Sequence, residues 1–302
     1  NEYCKSNRHI RLAEQLYNHG RHLRILARFL ASCKQRLREV APVQILTKDD
    51  LIDALREIRN KGWIPNARHG NAGGVGNTLE DLLGIAENNL PIPNAAEWEL
   101  KCQRRNTSSL ITLFHMEPSP RAIRFVPSIL LPKYGWIHQE AGTLYTANEM
   151  SFRQTINGKN RTDRGFGIIV DRKSRKVVVS FDSKSVSPRH NDWLESVEKR
   201  AGLGELTPQP YWGFDDLFHK AGTKLLNCFY IIADVKREKG REFFRYSTIM
   251  MVQKFSLERF LAAIELGNVL VDFDARTGHN HGTKFRLRQE AFPSLYEKMT
   301  KI

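Results

Sequence analysis

Three charged residues near position 100 alternate along a segment that is predicted to be a β-strand. Residues 96–101 are Ala-Glu-Trp-Glu-Leu-Lys, and because strand side chains alternate between two faces, Glu97, Glu99 and Lys101 should share one face. Neighbouring carboxylates repel each other unless a hard cation such as Mg²⁺ neutralises them. A lysine beside that ion can orient or help deprotonate an attacking water. These are the parts needed to hydrolyse a phosphodiester.

The triplet by itself also fits a simpler interpretation. Strands with one solvated face commonly alternate charged and apolar residues, so the three charges would only cover a surface. The residues around the triplet favour chemistry. Asn94 lies just before it, and Glu80 lies in an acidic predicted helix further upstream. The alternative role for Glu80 is to complement the positive end of that helix.

The overall charge indicates a polyanionic partner, with nucleic acid as the first candidate. The chain has 302 residues and carries 47 Lys and Arg against 33 Asp and Glu, a formal net charge of +14. No apolar run approaches the roughly 20 residues that span a bilayer, and the first residues lack the features of a secretory signal. We therefore expect no membrane partner and a cytoplasmic location.

Cysteine spacing and the glycine-rich segment exclude two other classes of site. Cys4, Cys33, Cys102 and Cys228 show no C-x-x-C spacing, so neither a disulfide framework nor a zinc site is indicated. Residues 66–77 are predicted to form a flexible loop. Since no apolar strand precedes their glycines, they do not form a dinucleotide fingerprint, and we expect no nucleotide cofactor.

The chain is predicted to consist of a basic helical arm, residues 1–45, and a main domain, residues 46–302. Apolar residues recur at helical intervals in the arm, and residues 1–40 contain nine Lys or Arg against three acids. The arm either grips phosphates or packs on the main domain and presents a solvated basic face. Pro42 marks the junction.

Capping and periodicity predict the elements of the main domain. Thr47, with Asp50 at the capping-box position, should begin a helix that ends near Gly62. Thr78 should cap a second helix, and Ser256 should begin another that ends at Gly267. The predicted core stripe of the second helix is Leu79, Leu82, Leu83 and Ala86.

Several segments further along the chain alternate as strands do. Residues 166–171 and 176–182 are predicted to form a hairpin, and an insertion with its own small helix is expected over 185–210. Further strands are predicted at 227–235, 243–252 and 269–273. The expected fold class is α/β (α+β), with a mixed central sheet flanked by helices.

Five motifs in register resemble the MvaI/BcnI restriction endonucleases, relatives of the mismatch-repair nickase MutH within the PD-(D/E)xK nuclease fold. The resemblance spans most of the chain outside the arm, residues 51–288. The motifs are Gly76-Asn-Thr-Leu-Glu80-Asp-Leu-Leu83; Asn89-Leu-Pro-Ile-Pro-Asn94 leading to Glu99-Leu-Lys101; Ser109-Leu-Ile-Thr-Leu-Phe114; Tyr211-Trp-x-Phe-Asp-x-Leu217; and His279-x-His-Gly-Thr-x-Phe-Arg286.

The resemblance implies a prokaryotic, Mg²⁺-dependent type II restriction endonuclease that binds double-stranded DNA as a monomer. Such an enzyme cuts a short, G·C-rich, nearly palindromic site by successive nicks. Two lobes would form the DNA cleft, a catalytic lobe at about 46–180 and a recognition lobe at about 211–290. The alternatives are a catalytically silent DNA-binding protein on the same scaffold and a MutH-like repair nickase.

The resemblance also assigns roles to the residues of the catalytic motif. Glu80 matches a helix glutamate near the metal, Glu99 a metal-binding carboxylate, and Lys101 the catalytic lysine. Asn94 occupies the position of the family's first catalytic aspartate. An amide oxygen can ligate Mg²⁺, but the lost negative charge should weaken metal binding. Three explanations of Asn94 are open. The natural protein tolerates the amide and uses Glu97 as a substitute ligand, the residue is an engineered inactivation, or the protein binds DNA without cutting it.

The carboxy-terminal motif is predicted to contact base edges. An arginine pairs bidentately with guanine, and a histidine offers one donor and one acceptor, whereas an aspartate accepts from the amino group of cytosine. The alternatives for His279 and His281 are that they lie on a solvated loop or that they belong to an incomplete metal site. The candidates for base contact are Asp272, Arg276, His279, His281, Lys284 and Arg286.

Other basic residues are predicted to bind phosphates without reading sequence. They lie in loops around the expected cleft, and each neutralised phosphate steepens the salt dependence of affinity. The main candidates are Arg104, Arg105 and Arg161, with Arg121, Arg124, Lys159 and Arg164 beside them.

Overall fold

A computed structural model describes residues 47–68, 73–85 and 97–302. The predicted arm, Asn94 and Ala86 lie outside these ranges. The helices of the described ranges are α1 (Lys48–Asn60), α2 (Gly74–Leu82), α3 (Leu131–Tyr134), α4 (Asn191–Ala201), α5 (Phe214–Leu225) and α6 (Leu257–Glu265). None of these helices is both long and apolar enough to cross a membrane.

The strands of the same ranges form three sheets. They are β1 (Ile64–Pro65), β2 (Trp98–Arg104), β3 (Ile111–His115), β4 (Trp136–Ile137), β5 (Met150–Asn157), β6 (Arg164–Asp171), β7 (Lys176–Val186), β8 (Tyr211–Gly213), β9 (Asn227–Glu238), β10 (Arg241–Phe255), β11 (Val269–Arg276), β12 (His279–Asn280), β13 (Lys284–Leu287) and β14 (Tyr296–Lys301). The predicted hairpin is confirmed as β6 and β7, and the predicted insertion contains α4.

The first sheet has the order β1-β10-β9-β2, with β14 also paired to β10. β2 runs parallel to β9, whereas the other pairs are antiparallel, so the predicted mixed sheet is confirmed. The second sheet has the order β3-β13-β11-β5-β4, with β12 on β11, and the third has the order β6-β7-β8. Each of the two larger sheets contains strands from both of the segments that were predicted as separate lobes. Strands that are far apart in the chain are neighbours in these sheets.

The first sheet is buried on both faces along β9. Phe229 and Ile231 face a core that includes Leu55 of α1 and Leu79 of α2. Their neighbours along β9 alternate to the opposite face and join the larger core, which also contains residues of α5 and α6. A strand segment covered on both faces must be almost continuously apolar, as residues 228–233 of β9 are.

Helix capping is confirmed at α1 and α6. Asp50 N donates to Thr47 Oγ1 at 3.2 Å and Thr47 N donates to Asp50 Oδ2 at 2.9 Å, which completes the capping box. Ser256 Oγ accepts from Arg259 N at 3.4 Å, and Gly267 beyond the helix has a φ of +73°. The αL conformation favours glycine at such a helix end.

The prediction that Thr78 caps the second helix is wrong, and so is the predicted loop over 74–77. Helix α2 begins at Gly74, and Thr78 is buried within it, where its hydroxyl donates to Asn66 Oδ1 at 3.3 Å. An ideal Cβ on Gly74 would lie 2.9 Å from the same Asn66 oxygen. The glycine therefore allows a close approach between chain segments, which the composition of the segment did not reveal.

An aromatic cluster supports β13, the strand that carries Lys284 and Arg286. Phe285 lies between these two residues, and its ring is fully buried. The centroid of this ring lies 5.0 Å from the ring centroid of Phe114 and 5.0 Å from that of Trp212. Its burial fixes which side chains of β13 face outward, because neighbours on a strand point to opposite faces.

We expect Phe285→Ala to lower the free energy of unfolding by about 3–5 kcal/mol, because a large buried ring leaves a cavity. The control is Phe218→Ala, since Phe218 is 51% exposed, and a surface change should stay within about 0.5 kcal/mol. Urea denaturation measures both. Equal effects of the two substitutions would show that the cluster does not support β13.

Candidate active site

Strand β2 positions the predicted catalytic pair. Glu99 and Lys101 lie on one face, with Lys101 Nζ 2.7 Å from Glu99 Oε1, and Trp98 and Leu100 pack into the core on the other. The predicted alternation is confirmed for these four residues. The strand begins at Trp98, however, so Glu97 lies in the preceding turn and is exposed.

The Glu99 carboxylate is buried and its two oxygens differ. Oε1 contacts Lys101 and lies 3.8 Å from Nζ of Lys224 on α5, whereas Oε2 is buried and has no hydrogen-bond partner among the residues that the structure describes. A buried carboxylate oxygen normally has a partner, because leaving it without one is costly. A hard cation would satisfy it, and carboxylate oxygen is the donor that Mg²⁺ prefers.

The side chains of Cys228 and Tyr296, which lie next to Glu99 in the protein interior, are shielded from water. Cys228 is the register partner of Glu99 on β9, and burial raises the pKa of its thiol to about 12. The Tyr296 hydroxyl lies 3.0 Å from the Cys228 sulfur, and burial raises the pKa of that hydroxyl as well. Charges interact more strongly in such a poorly solvated environment than in water.

Glu80 approaches β2 from the other side. Helix α2 packs against the face of β2 that carries Trp98, and the Glu80 side chain is half-buried. Burial raises the pKa of the Cys102 thiol, and the nearby Glu80 carboxylate raises it further. Among the described residues, no group of three or more His, Cys, Asp or Glu side chains is placed to hold a metal.

The second sheet brings several predicted base-contacting residues together on one face. Asp272 accepts from Thr155 Oγ1 at 2.9 Å and from Arg286 Nη1 at 3.3 Å. Next to it, Asp274 accepts from Arg153 Nε at 2.7 Å and lies 3.9 Å from Lys284 Nζ. These side chains alternate along the strands with buried apolar residues, so the face is polar and preorganised.

The histidine motif continues from this face. The rings of His279 and His281 are nearly perpendicular, with centroids 4.3 Å apart, and both residues are exposed. Arg276 pairs with Glu149 at 3.1 Å and lies over the ring of Tyr145. The structure thus groups five of the six candidates along β11, β12 and β13, with His281 directly after β12, and their contact with bases stays a prediction.

The three main candidates for phosphate contact lie elsewhere and already have protein partners. Arg104 Nη2 donates to Glu242 at 2.9 Å, and Arg105 Nε donates to Asp234 at 2.5 Å. Arg161 Nη1 donates to the carbonyl oxygens of Gly165 and Ser180. Contact of these arginines with DNA stays a prediction.

Two lysines of α5 and one histidine were not singled out from the sequence. Lys224 Nζ lies 3.8 Å from the Glu99 carboxylate, and Lys220 lies one turn earlier on the same helix. His115 ends β3, next to Lys284 of β13 in the register. The four-residue spacing of the lysines was a signal that they share a helix face, but nothing in the sequence indicated what that face meets.

We expect Lys101→Ala to lower the free energy of unfolding by about 1–3 kcal/mol, because the buried Glu99 carboxylate loses its closest partner. Adding Glu99→Gln to this variant should recover part of the loss, since the uncompensated charge is removed. Urea denaturation without added metal measures the free energy of unfolding of both variants. A double variant less stable than Lys101→Ala would contradict the proposed origin of the effect.

The sequence and the fold are similar to those of known proteins. Residues 52–296 match the model of the MvaI/BcnI restriction endonuclease family. A solved restriction endonuclease MvaI–cognate DNA substrate complex is 24% identical, with a TM-score of 0.66, and the alignment covers 86% of this chain and 99% of that one. Restriction endonuclease MvaI in the absence of DNA is 22% identical, with a TM-score of 0.51 and coverage of 87% and 99%.

No curated protein sequence matched the chain. The structural similarity confirms the predicted PD-(D/E)xK type of fold. The family model extends over most of the chain, from α1 to the start of β14. This protein therefore belongs to the MvaI/BcnI restriction endonuclease family, a family of sequence-specific DNA endonucleases.

Proposed function

We propose that this protein is a Mg²⁺-dependent type II restriction endonuclease that hydrolyses phosphodiester bonds of double-stranded DNA. The observation that carries the proposal is the buried Glu99 carboxylate, with one oxygen on Lys101 and the other without a partner in the described part of the chain. Family membership supports the substrate class, and the net charge of +14 supports a polyanion. We further propose that the protein acts in the prokaryotic cytoplasm.

Glu99 would hold the metal through Oε2, with Asn94 as a further candidate ligand. Glu80 lies on a helix that packs on the opposite face of β2, so its place near the metal stays a prediction. Bound Mg²⁺ supplies positive charge that polarises the phosphoryl oxygen and lowers the pKa of water. Lys101 is held 2.7 Å from Glu99, so its ammonium lies beside the carboxylate and can orient the attacking water. In the reaction a water oxygen forms a bond to phosphorus, one ester bond to phosphorus breaks, and the leaving oxygen takes a proton.

The polar face of the second sheet would read the bases. Arg286 is held by Asp272 and by the carbonyl oxygen of Leu110, so its guanidinium is oriented before DNA binds. A fixed guanidinium loses little conformational entropy when it pairs with guanine. His279 and His281 are exposed at the end of the same face and offer further donors and acceptors.

We further propose that the protein acts as a monomer, with the one E-x-K pair of the chain as its active site. One active site hydrolyses one phosphodiester at a time, so cleavage of both DNA strands would require two successive nicks. A nearly palindromic, G·C-rich site allows the same reading residues to be used in both orientations. The second candidate function, a silent DNA-binding protein, is favoured by one observation, the amide of Asn94 where the family has a carboxylate.

We expect supercoiled plasmid incubated with Mg²⁺ to give open circles first and linear DNA later. Lys101→Ala and Glu99→Gln should each slow cleavage by about 10²–10³-fold, the usual effect of removing one electrostatic stabiliser. Lys199→Ala, on the exposed end of α4, is the control. Open circles that never become linear would indicate a nickase, and DNA binding without cutting would indicate the silent protein.

Asn94→Asp and Glu97→Gln separate the three explanations for the amide. If Asn94 is an inactivating substitution, restoring the carboxylate should raise the cleavage rate by orders of magnitude. If Glu97 is a substitute ligand, Glu97→Gln should abolish cleavage whereas Asn94→Ala should not. Initial rates on the same plasmid, measured over a range of Mg²⁺ concentrations, decide between them. Equal rates for all three variants and the unaltered protein would exclude both explanations.

A further inference from the structure

Helix α5 lies between the catalytic strand and the second sheet. It packs on both β2 and β3, and β3 pairs with β13 of the second sheet. Lys220 and Lys224 are four residues apart on this helix and therefore share a face. The Nζ atom of Lys224 lies 3.8 Å from Glu99 Oε1. This lysine-bearing face thus meets the active site at one end.

Two further basic side chains meet the same face. His115 and Lys284 are register partners across β3 and β13. The ammonium groups of Lys220, Lys224 and Lys284 all act electrostatically on the His115 imidazole. Four basic side chains from α5, β3 and β13 therefore converge in the junction between the catalytic strand and the polar sheet face.

The carboxylates near this junction are already engaged. Glu117, which also acts on His115, accepts from Thr283 N at 2.8 Å and from Thr283 Oγ1 at 3.1 Å. Glu99 accepts from Lys101 at 2.7 Å, and Asp274 accepts from Arg153 at 2.7 Å. Lys101 and Arg153 offset the charges of Glu99 and Asp274, so the ammonium groups of Lys220, Lys224 and Lys284 outnumber the remaining carboxylate, Glu117, and the junction carries excess positive charge.

The electrostatics of His115 reflect that excess. Partial desolvation lowers the pKa of the imidazole, and the ammonium groups of Lys284, Lys224 and Lys220 lower it further. The ring is therefore neutral near pH 7, where it can donate one hydrogen bond to an anion. An anion placed among the lysines would relieve the repulsion that the three ammonium groups exert on one another.

We propose that Lys220, Lys284 and His115 form a binding site for one backbone phosphate of duplex DNA, between the catalytic strand and the base-reading sheet face. This inference rests on the proposed function and deepens it. Phosphate contacts position a protein on the duplex, whereas base contacts specify the sequence. A phosphate held here would set the distance between the bases that are read and the bond that is cut.

The test is DNA binding by the full chain over a range of KCl concentrations, with Ca²⁺ in place of Mg²⁺ to suppress cleavage. The probes are a duplex with the site mapped from cut plasmid ends and a scrambled duplex of equal length. If no site is cut, two unrelated duplexes serve. We expect the double variant Lys220→Gln/Lys284→Gln to lower the slope of log K against log salt by about 0.9 for one lost phosphate.

The loss of affinity should be equal on both duplexes, because a phosphate contact is independent of sequence. Lys199→Gln should leave slope and affinity unchanged. A duplex series with one methylphosphonate at each position tests the contact directly. One neutralised position should weaken the unaltered protein but not the double variant.

Three results would overturn the phosphate site: an unchanged salt slope, a loss confined to the site-bearing duplex, or equal sensitivity of both proteins to every methylphosphonate. Thermal unfolding of the double variant should match that of the unaltered protein, because Lys220 and Lys284 are partly solvated side chains. Absence of salt-dependent binding by the unaltered protein would instead reject the proposed function itself, and the phosphate site with it.

Discussion

The ion pair between Glu99 and Lys101 depends on the parallel pairing of β2 with β9. That pairing holds β2 between two cores, so the Trp98 side chain is buried on one face and Glu99 on the other. Isolated burial of a carboxylate is costly, and a partner ammonium at 2.7 Å offsets only part of that cost. The second oxygen has no partner within residues 47–68, 73–85 and 97–302, and a cation bound there would offset the remaining cost.

Two strand pairings, one in each of the larger sheets, place helix α5 against both β2 and β3. Strand β9 comes late in the chain but lies beside β2, and β13 comes later still but lies beside β3. Helix α5, which directly precedes β9, is thereby placed between the two sheets. Its lysines occupy the region that a DNA backbone would cross between reading and cutting, which is why the phosphate site is proposed there.

The polar face of the second sheet shows how preorganisation is achieved. Asp272 orients Arg286, and Asp274 orients Arg153, through contacts within the protein. A partly buried ion pair contributes little net stability, so these pairs are better explained by the orientation they impose. The aromatic ring of Phe285, packed on the other side of β13, fixes that face outward.

Much of this arrangement followed from the sequence because it depends on local rules. Strand alternation predicted the shared face of Glu99 and Lys101, and side-chain capping predicted where α1 and α6 begin. The start of α2 was not predictable, since its glycines favour a loop and only the contact of Gly74 with Asn66 explains a helix there. The grouping of Lys220, Lys224 and His115 was not predictable either, because only tertiary packing brings these residues together. Local chemistry determined the catalytic pair, whereas the junction around α5 was decided by tertiary packing, which alone joins residues more than 100 positions apart.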